Sequence, residues 1–214
     1  VDSSFLHIGP QPPACFDSST QIASLNEAPP KSRIKSALKK YLGIQTSRET
    51  ITAQYTVLKN QFISEYHSLP FADYDILNNP LVLNADIIHL HWVAGMIDYA
   101  SFFGNNKKPV VWTVHDMNVL QGLFHYKDDV ERNKIVAGKI EDKLKRFKSN
   151  AIKSRDFKLA VVTPSKWLLR EIEKRNAFGK FAGHCIPNPI NTLLFSRNTN
   201  EVFKRKNNIP ETSL

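Results

Sequence analysis

Cysteine is scarce: Cys15 and Cys185 stand alone in 214 residues with no Cys-x-x-Cys pair, which argues against a thiolate metal site and fits a reducing cytoplasm. Gly-x-Gly-x-x-Gly is missing as well. A nicotinamide dehydrogenase needs those glycines after its first strand so that backbone can approach the pyrophosphate, and that class is excluded. No apolar run approaches the roughly 20 residues of a helical membrane span. No signal peptide and no repeat of solenoid period is visible. Acidic residues are in deficit, 20 against 29 Lys and Arg, for a net charge of +9 and a pI near 9.5. That excess calls for a nucleic acid, an anionic membrane or a phosphorylated substrate, or else serves solubility.

What remains is ordinary for a globular protein. Hydrophobic residues make up 42% and charged residues 23%, enough for one domain, or one domain and part of another.

The densest signal lies in residues 85–116. Two β-branched apolar runs, residues 87–92 and 110–114, show little alternation, which predicts strands buried on both faces, as in a parallel sheet. His91 closes the first run and His115-Asp116 the second. Carboxyl ends of strands in an open α/β sheet form the ligand crevice, so these groups are expected to line one site. Between them, Gly95 and the spacing Met96, Tyr99, Ala100, Phe103 predict a short helix and a β-α-β unit.

Elsewhere, residues 4–8 predict a short strand, and the Pro- and Ser-rich residues 10–30 a surface loop. Residues 32–42 predict a basic amphipathic helix, able to lie on an anionic bilayer or to pack on its own domain. Residues 50–66 do not separate helix from strand, and residues 68–83 and 117–129 read as loops. A long charged helix is expected over 130–154, a buried strand over 159–163, a helix over 166–175 capped by Ser165 with Trp167, Leu168 and Ile172 inward, and a strand over 184–186. Residues 202–206 predict one more short helix, and Trp112 and Trp167 are expected in the core. This alternation predicts an α/β fold with a doubly wound, mainly parallel sheet and helices on both faces.

The motifs ADIIHLHW, PVVWTVHDM with His125-Tyr126 downstream, VVTPSKWL and CIPNPINTLLF resemble, in order and spacing, the N-terminal domain of retaining family 4 glycosyltransferases. The likeness spans about residues 79–195 and is strongest to the bacterial branch that builds colanic acid and other exopolysaccharides or capsules. It implies the Rossmann-like N-terminal half of a GT-B fold, with residues 1–8 matching the second strand of such a domain rather than its first. Residues 1–195 would form the acceptor-side domain and residues 196–214 a linker toward a donor-binding domain, so this chain is expected to be inactive alone. The sequence departs from the family at Pro189 and Asn191, where Pro-Asn-Gly-Ile-Asp is common. It also departs at Gln121-Gly122-Leu123-Phe124, where Thr-Gly-Gly-Cys is usual, and at Lys127-Asp128-Asp129, where cysteines often follow.

Carried over residue by residue, the resemblance implies His115 and Asp116 as catalytic. His91, Trp92, Gly95, Gly122, His125, Tyr126, Ser165 and Asn188 would form the substrate-binding set. Its implied partners are a nucleotide sugar and a glycan or lipid-linked acceptor, with no metal or other cofactor and no nucleic acid. The implied setting is cytoplasmic, peripheral to the plasma membrane if the basic helix docks there. Two other readings of the residues stay open. His89, His91, His115 and Asp116 could hold a metal for a hydrolase, since residues i and i+2 of a strand share a face, although His89 sits where a hydrogen-bonded core histidine is common. The basic charge could also serve a nucleic-acid-binding α/β module.

Overall fold

A computed structural model describes residues 4–7, 21–24, 47–195 and 201–210. The basic helix expected over 32–42, and Cys15, lie outside the described residues. In chain order the elements are β1 (Ser4–His7), β2 (Gln21–Ser24), α1 (Ser47–Leu58), α2 (Pro80–Asn84), β3 (Ile88–Leu90), α3 (Tyr99–Asn105) and β4 (Val110–Thr113). There follow α4 (Lys127–Arg132), α5 (Lys134–Lys153), β5 (Leu159–Thr163), α6 (Lys166–Arg175), β6 (Ala182–Cys185) and α7 (Glu201–Lys206).

The chain forms an α/β fold around a four-stranded, all-parallel sheet of order β3-β4-β5-β6, consistent with a Rossmann-like architecture. β1 and β2 pair in parallel as a separate two-stranded sheet, so part of the loop expected over 10–30 is a strand.

Strand order in the larger sheet follows chain order without reversal. Right-handed crossovers then carry the connecting helices to one face, whereas a doubly wound sheet needs a reversal that these four strands do not contain. Burial agrees. Ile88, Leu90, Val110, Trp112, Leu159 and Val161 face a core completed by Tyr99, Phe102 and Phe103 of α3, Ile152 of α5, and Leu168 and Ile172 of α6. Each such fully buried side chain is worth about 1.5–3 kcal/mol. On the opposite face Val111, Thr113, Ala160 and Val162 are half-buried and His89 is exposed, so among the described residues this face is less deeply covered than the first, and His89 is not a core residue.

Local chemistry sets the boundaries. Val93 and Met96 close a turn through Met96 N–H to Val93 O, with Gly95 at φ +69°, a conformation that side chains with a Cβ resist. Asp98 then caps α3 by accepting the Ser101 N–H, so the helix begins later than residue 93. Asn79 caps α2 with Pro80 in its first turn, giving a helix inside the loop expected over 68–83. Ser165 caps α6 by accepting the Leu168 N–H, and Asn176 at φ 46° ends it. Trp167 of that helix points outward at 54% exposure, contrary to the expected core position.

A second apolar cluster lies beside α5. Ala137, Ile140 and Leu144 of that helix meet Ile51 of α1 with Leu123 and Phe124. The same stripe of α5 carries two buried charges, Glu141 and Lys148. The long helix expected over 130–154 is divided at Asn133, which is buried and binds Ile63 through both N–H and C=O.

Candidate functional site

All four strands of the larger sheet point the same way, so the residues following β3, β4, β5 and β6 share its carboxyl edge. His91 and Trp92, His115 and Asp116, Ser165, and Asn188 all follow those strands. Successive residues there diverge. His115 is exposed, its Nε2 lying 3.0 Å from His91 Nδ1 with the two rings stacked at 5.3 Å. The His89 ring lies tilted against His91 with centroids 4.3 Å apart and pairs with the Thr113 hydroxyl at 2.8 Å. Partial burial, followed by the neighbouring imidazoles, lowers the pKa of His89 and of His91. Both are therefore neutral at pH 7 and free to donate or accept.

Asp116 turns inward instead. Its Oδ1 accepts the Asn118 N–H at 2.8 Å and its Oδ2 lies 2.7 Å from His125 Nδ1. Burial works to raise the Asp116 pKa, but the hydrogen bonds from His125 and the Asn118 N–H, with the nearby Lys148 charge, hold it below the usual carboxylate value. An ionised carboxylate only accepts, so the His125 Nδ1 carries the proton and its Nε2 faces the Ser68 hydroxyl at 3.2 Å.

His125 is 2% exposed and forms the floor of an open pocket of about 390 Å³, walled by Tyr66, Trp92, Phe71, Ala94 and Gly95 and edged by His67 and Ser68. Tyr66 and Trp92 meet edge to face at 6.4 Å, and both stay about half exposed. His67 accepts from or donates to the Tyr55 hydroxyl at 2.9 Å, and burial lowers its pKa.

Two buried charges of α5 moor the loop that delivers Asp116 and His125. The Glu141 carboxylate accepts the N–H groups of Gly122 at 2.5 Å and Leu123 at 2.6 Å. The Lys148 ammonium donates to Asn118 O, Asn118 Oδ1 and Gln121 O at 2.8, 3.0 and 3.1 Å. Burial lowers the Lys148 pKa to about 7 against the opposing pull of Glu141 and Asp116.

Comparison with known protein families, with curated proteins and with solved structures finds no match to this chain.

Of the residues singled out in the sequence, Trp92, Gly95 and His125 line the pocket together, and His91 and His115 form a pair beside it. Gly122 is not open to a ligand: it is buried, and a Cβ there would collide with the Glu141 backbone carbonyl. Tyr126 is exposed at the start of α4, the Ser165 hydroxyl is engaged in capping α6, and Asn188 is exposed after β6. Because Asp116 faces His125, it does not join His89, His91 and His115 as a metal ligand. Among the described residues no group of three or more His, Cys, Asp or Glu converges to hold an ion.

Sequence reasoning missed Ser68, Tyr66, His67, Glu141 and Lys148. Ser68 reaches His125 because residues 67–68 lie along 123–124, joined by the Ser68 N–H to Leu123 O bond and the His67–Phe124 bridge. Nothing local in the sequence marks that pairing.

Proposed function

We propose that this chain is the acceptor-side domain of a retaining nucleotide-sugar glycosyltransferase that acts in bacterial cell-surface polysaccharide assembly. The observation that carries the reading is the pocket at the carboxyl edge of the sheet. Two half-exposed rings, Tyr66 and Trp92, stand over a polar floor of His125 and Ser68. Flat aromatic faces pack against the C–H face of a pyranose, while neighbouring hydroxyl and imidazole groups hold its hydroxyls; this mix of apolar walls and few polar groups fixes orientation in ligand pockets. His115, exposed at the end of β4 and steadied by His91, is placed to hydrogen-bond a sugar presented from outside the sheet edge. Its role is to position the donor sugar as charge develops at the anomeric carbon.

The reading assigns the nucleotide to a second lobe beyond residues 196–214 and makes residues 187–191 the hinge. Ile190 of that segment and Leu193, Leu194 and Phe195 just after it stand exposed, as an apolar surface meeting another lobe would. Among the described residues no helix is long and apolar enough to cross a membrane, so a lipid-linked acceptor would be met from the side of its headgroup. The test is titration of this chain with mono- to tetrasaccharides and, separately, with nucleotide sugars. Saccharides are expected to bind and to lose at least ~10-fold in affinity in Trp92→Ala, a loss of about 1.4 kcal/mol. Failure of every saccharide to bind would refute the reading.

A further inference from the structure

Ser68 and His125 do more than line the pocket floor: with Asp116 they form a hydrogen-bonded chain whose geometry is directional. Asp116 is fixed through both oxygens, one on the Asn118 N–H and one 2.7 Å from His125 Nδ1. That bond sets the imidazole tautomer and leaves Nε2 as a base, 3.2 Å from the Ser68 Oγ. A hydroxyl, a base within reach and a carboxylate orienting that base are the parts of a serine nucleophile, recognised by geometry and not by order in the chain. Both Ser68 and His125 border the open pocket, so a ligand there meets the hydroxyl without rearrangement of the fold. Ala94 and Gly95 line the same pocket, and their backbone N–H groups donate to no acceptor among the described residues, the turn at 93–97 engaging only the Met96 and Ile97 amides.

We infer that Ser68, His125 and Asp116 form a hydrolytic site for small carboxylic esters bearing a flat apolar group that packs against Tyr66 and Trp92. This goes beyond the glycosyltransferase reading and does not rest on it.

In the first step the Ser68 Oγ attacks the ester carbonyl carbon and its proton passes to His125 Nε2. The tetrahedral adduct collapses to an acyl-Ser68 ester, and the leaving alkoxide takes the proton from His125 and departs as an alcohol. Water then gives a proton to His125 Nε2 and attacks the acyl carbon. Ser68 leaves, recovers that proton, and a carboxylic acid is released. Asp116 is a positioning residue: it holds the imidazole in the tautomer that each transfer needs.

The test treats this chain with a fluorophosphonate probe, maps the adduct by mass spectrometry, and follows turnover of p-nitrophenyl acetate. Stoichiometric labelling at Ser68 is expected, lost in Ser68→Ala, with turnover reduced at least ~100-fold in Ser68→Ala and His125→Gln. Asp116→Asn should lower kcat to a similar degree with KM nearly unchanged, a split that a merely structural role would not give. Urea unfolding of each variant identifies any loss that comes from misfolding, and labelling of the unaltered chain needs no variant at all. An unlabelled wild-type chain, or labelling and turnover that persist in Ser68→Ala, would overturn the inference.

Discussion

Replacing Lys148 by methionine keeps the length and apolar stem of the side chain and removes only its ammonium. In the native chain that group is fully buried, donates to Asn118 O, Asn118 Oδ1 and Gln121 O, and lies 5.6 Å over the Tyr99 ring. Where the amine is neutral it has two N–H donors, so two buried acceptors lose a donor at about 1–3 kcal/mol each and a net loss near 3 kcal/mol is expected; where it is charged, relief from burying a cation offsets much of the loss. With a urea dependence of about 1–3 kcal/mol per M, the unfolding midpoint falls by about 1–3 M. The pH dependence is the sharper test. Burial first, against the pull of Glu141 and Asp116, lowers the folded-state pKa to about 7 from 10.5. Between those values the unfolded chain binds the proton and the folded chain does not, so stability rises with pH across that window, by at most about 1.4 kcal/mol per pH unit. Below pH 7 both states are protonated and the full cost of burying the charge is present. Methionine cannot titrate, so the gap between wild type and Lys148→Met should be small at pH 6.5 and widen toward pH 9.5 in urea titrations. A gap that stays constant over that range would refute the argument and mean that the three carbonyl acceptors keep the amine charged throughout.

Other perturbations separate site from scaffold. Gly122→Ala drives a methyl into the Glu141 backbone and should destabilise by about 2 kcal/mol or more, read from the thermal unfolding midpoint. Asp116→Asn should flatten the acid limb of stability. The wild-type carboxyl is held below its usual value by His125 and the Asn118 N–H despite burial, so its contribution is present above the unfolded-state pKa and is lost as pH falls through the folded-state one. His115→Ala removes an exposed ring and should change stability by no more than about 0.5 kcal/mol. In an enzyme that also carries the donor lobe, it should lower transfer turnover at least ~100-fold; equal losses of turnover and stability would remove His115 from the chemistry.

The sequence announces an element wherever a periodic run meets a strong boundary signal. β5 and α6 fall on their expected residues because Leu159–Thr163 ends at Pro164 and Ser165 caps the helix that begins at Lys166. β2 was hidden because Gln21–Ser24 sits among prolines and serines and gains its order from pairing with β1. The division of the long helix at Asn133 depends on Ile63, seventy residues away in sequence, which no local pattern encodes. Glu141 and Lys148 lie seven residues apart on the stripe that also bears Ile140 and Leu144. In a helix with many lysines, charges at that spacing resemble a solvated face, and only the backbone groups of residues 118–123 show that they are interior.

The candidate site divides in the same way. His91, His115 and Asp116 were legible because strand ends in a parallel sheet deliver their side chains to one edge, whereas Trp92 and His125 came from the family resemblance alone. That Asp116 would leave its neighbour His115 and serve His125 was not, since the choice is made by the Asn118 N–H and by a loop moored from α5. Ser68 and Tyr66 come from a segment with no periodicity and reach the pocket through two backbone contacts with residues 123–124. Apolar composition does not report on strand order, and the unreversed order of the four described strands puts the helices that connect them on one side.

Calorimetric titration of a panel of mono- to tetrasaccharides into wild-type chain and into Trp92→Ala bears most directly on the central claim, that the pocket between Tyr66, Trp92 and His125 receives the acceptor sugar. Trp92 is 57% exposed, so its loss should leave the unfolding midpoint nearly unchanged. The account predicts saturable binding of at least one saccharide by the wild-type chain, weakened ~10-fold or more in Trp92→Ala. Absence of binding across the panel, or equal affinity for both proteins, would contradict it.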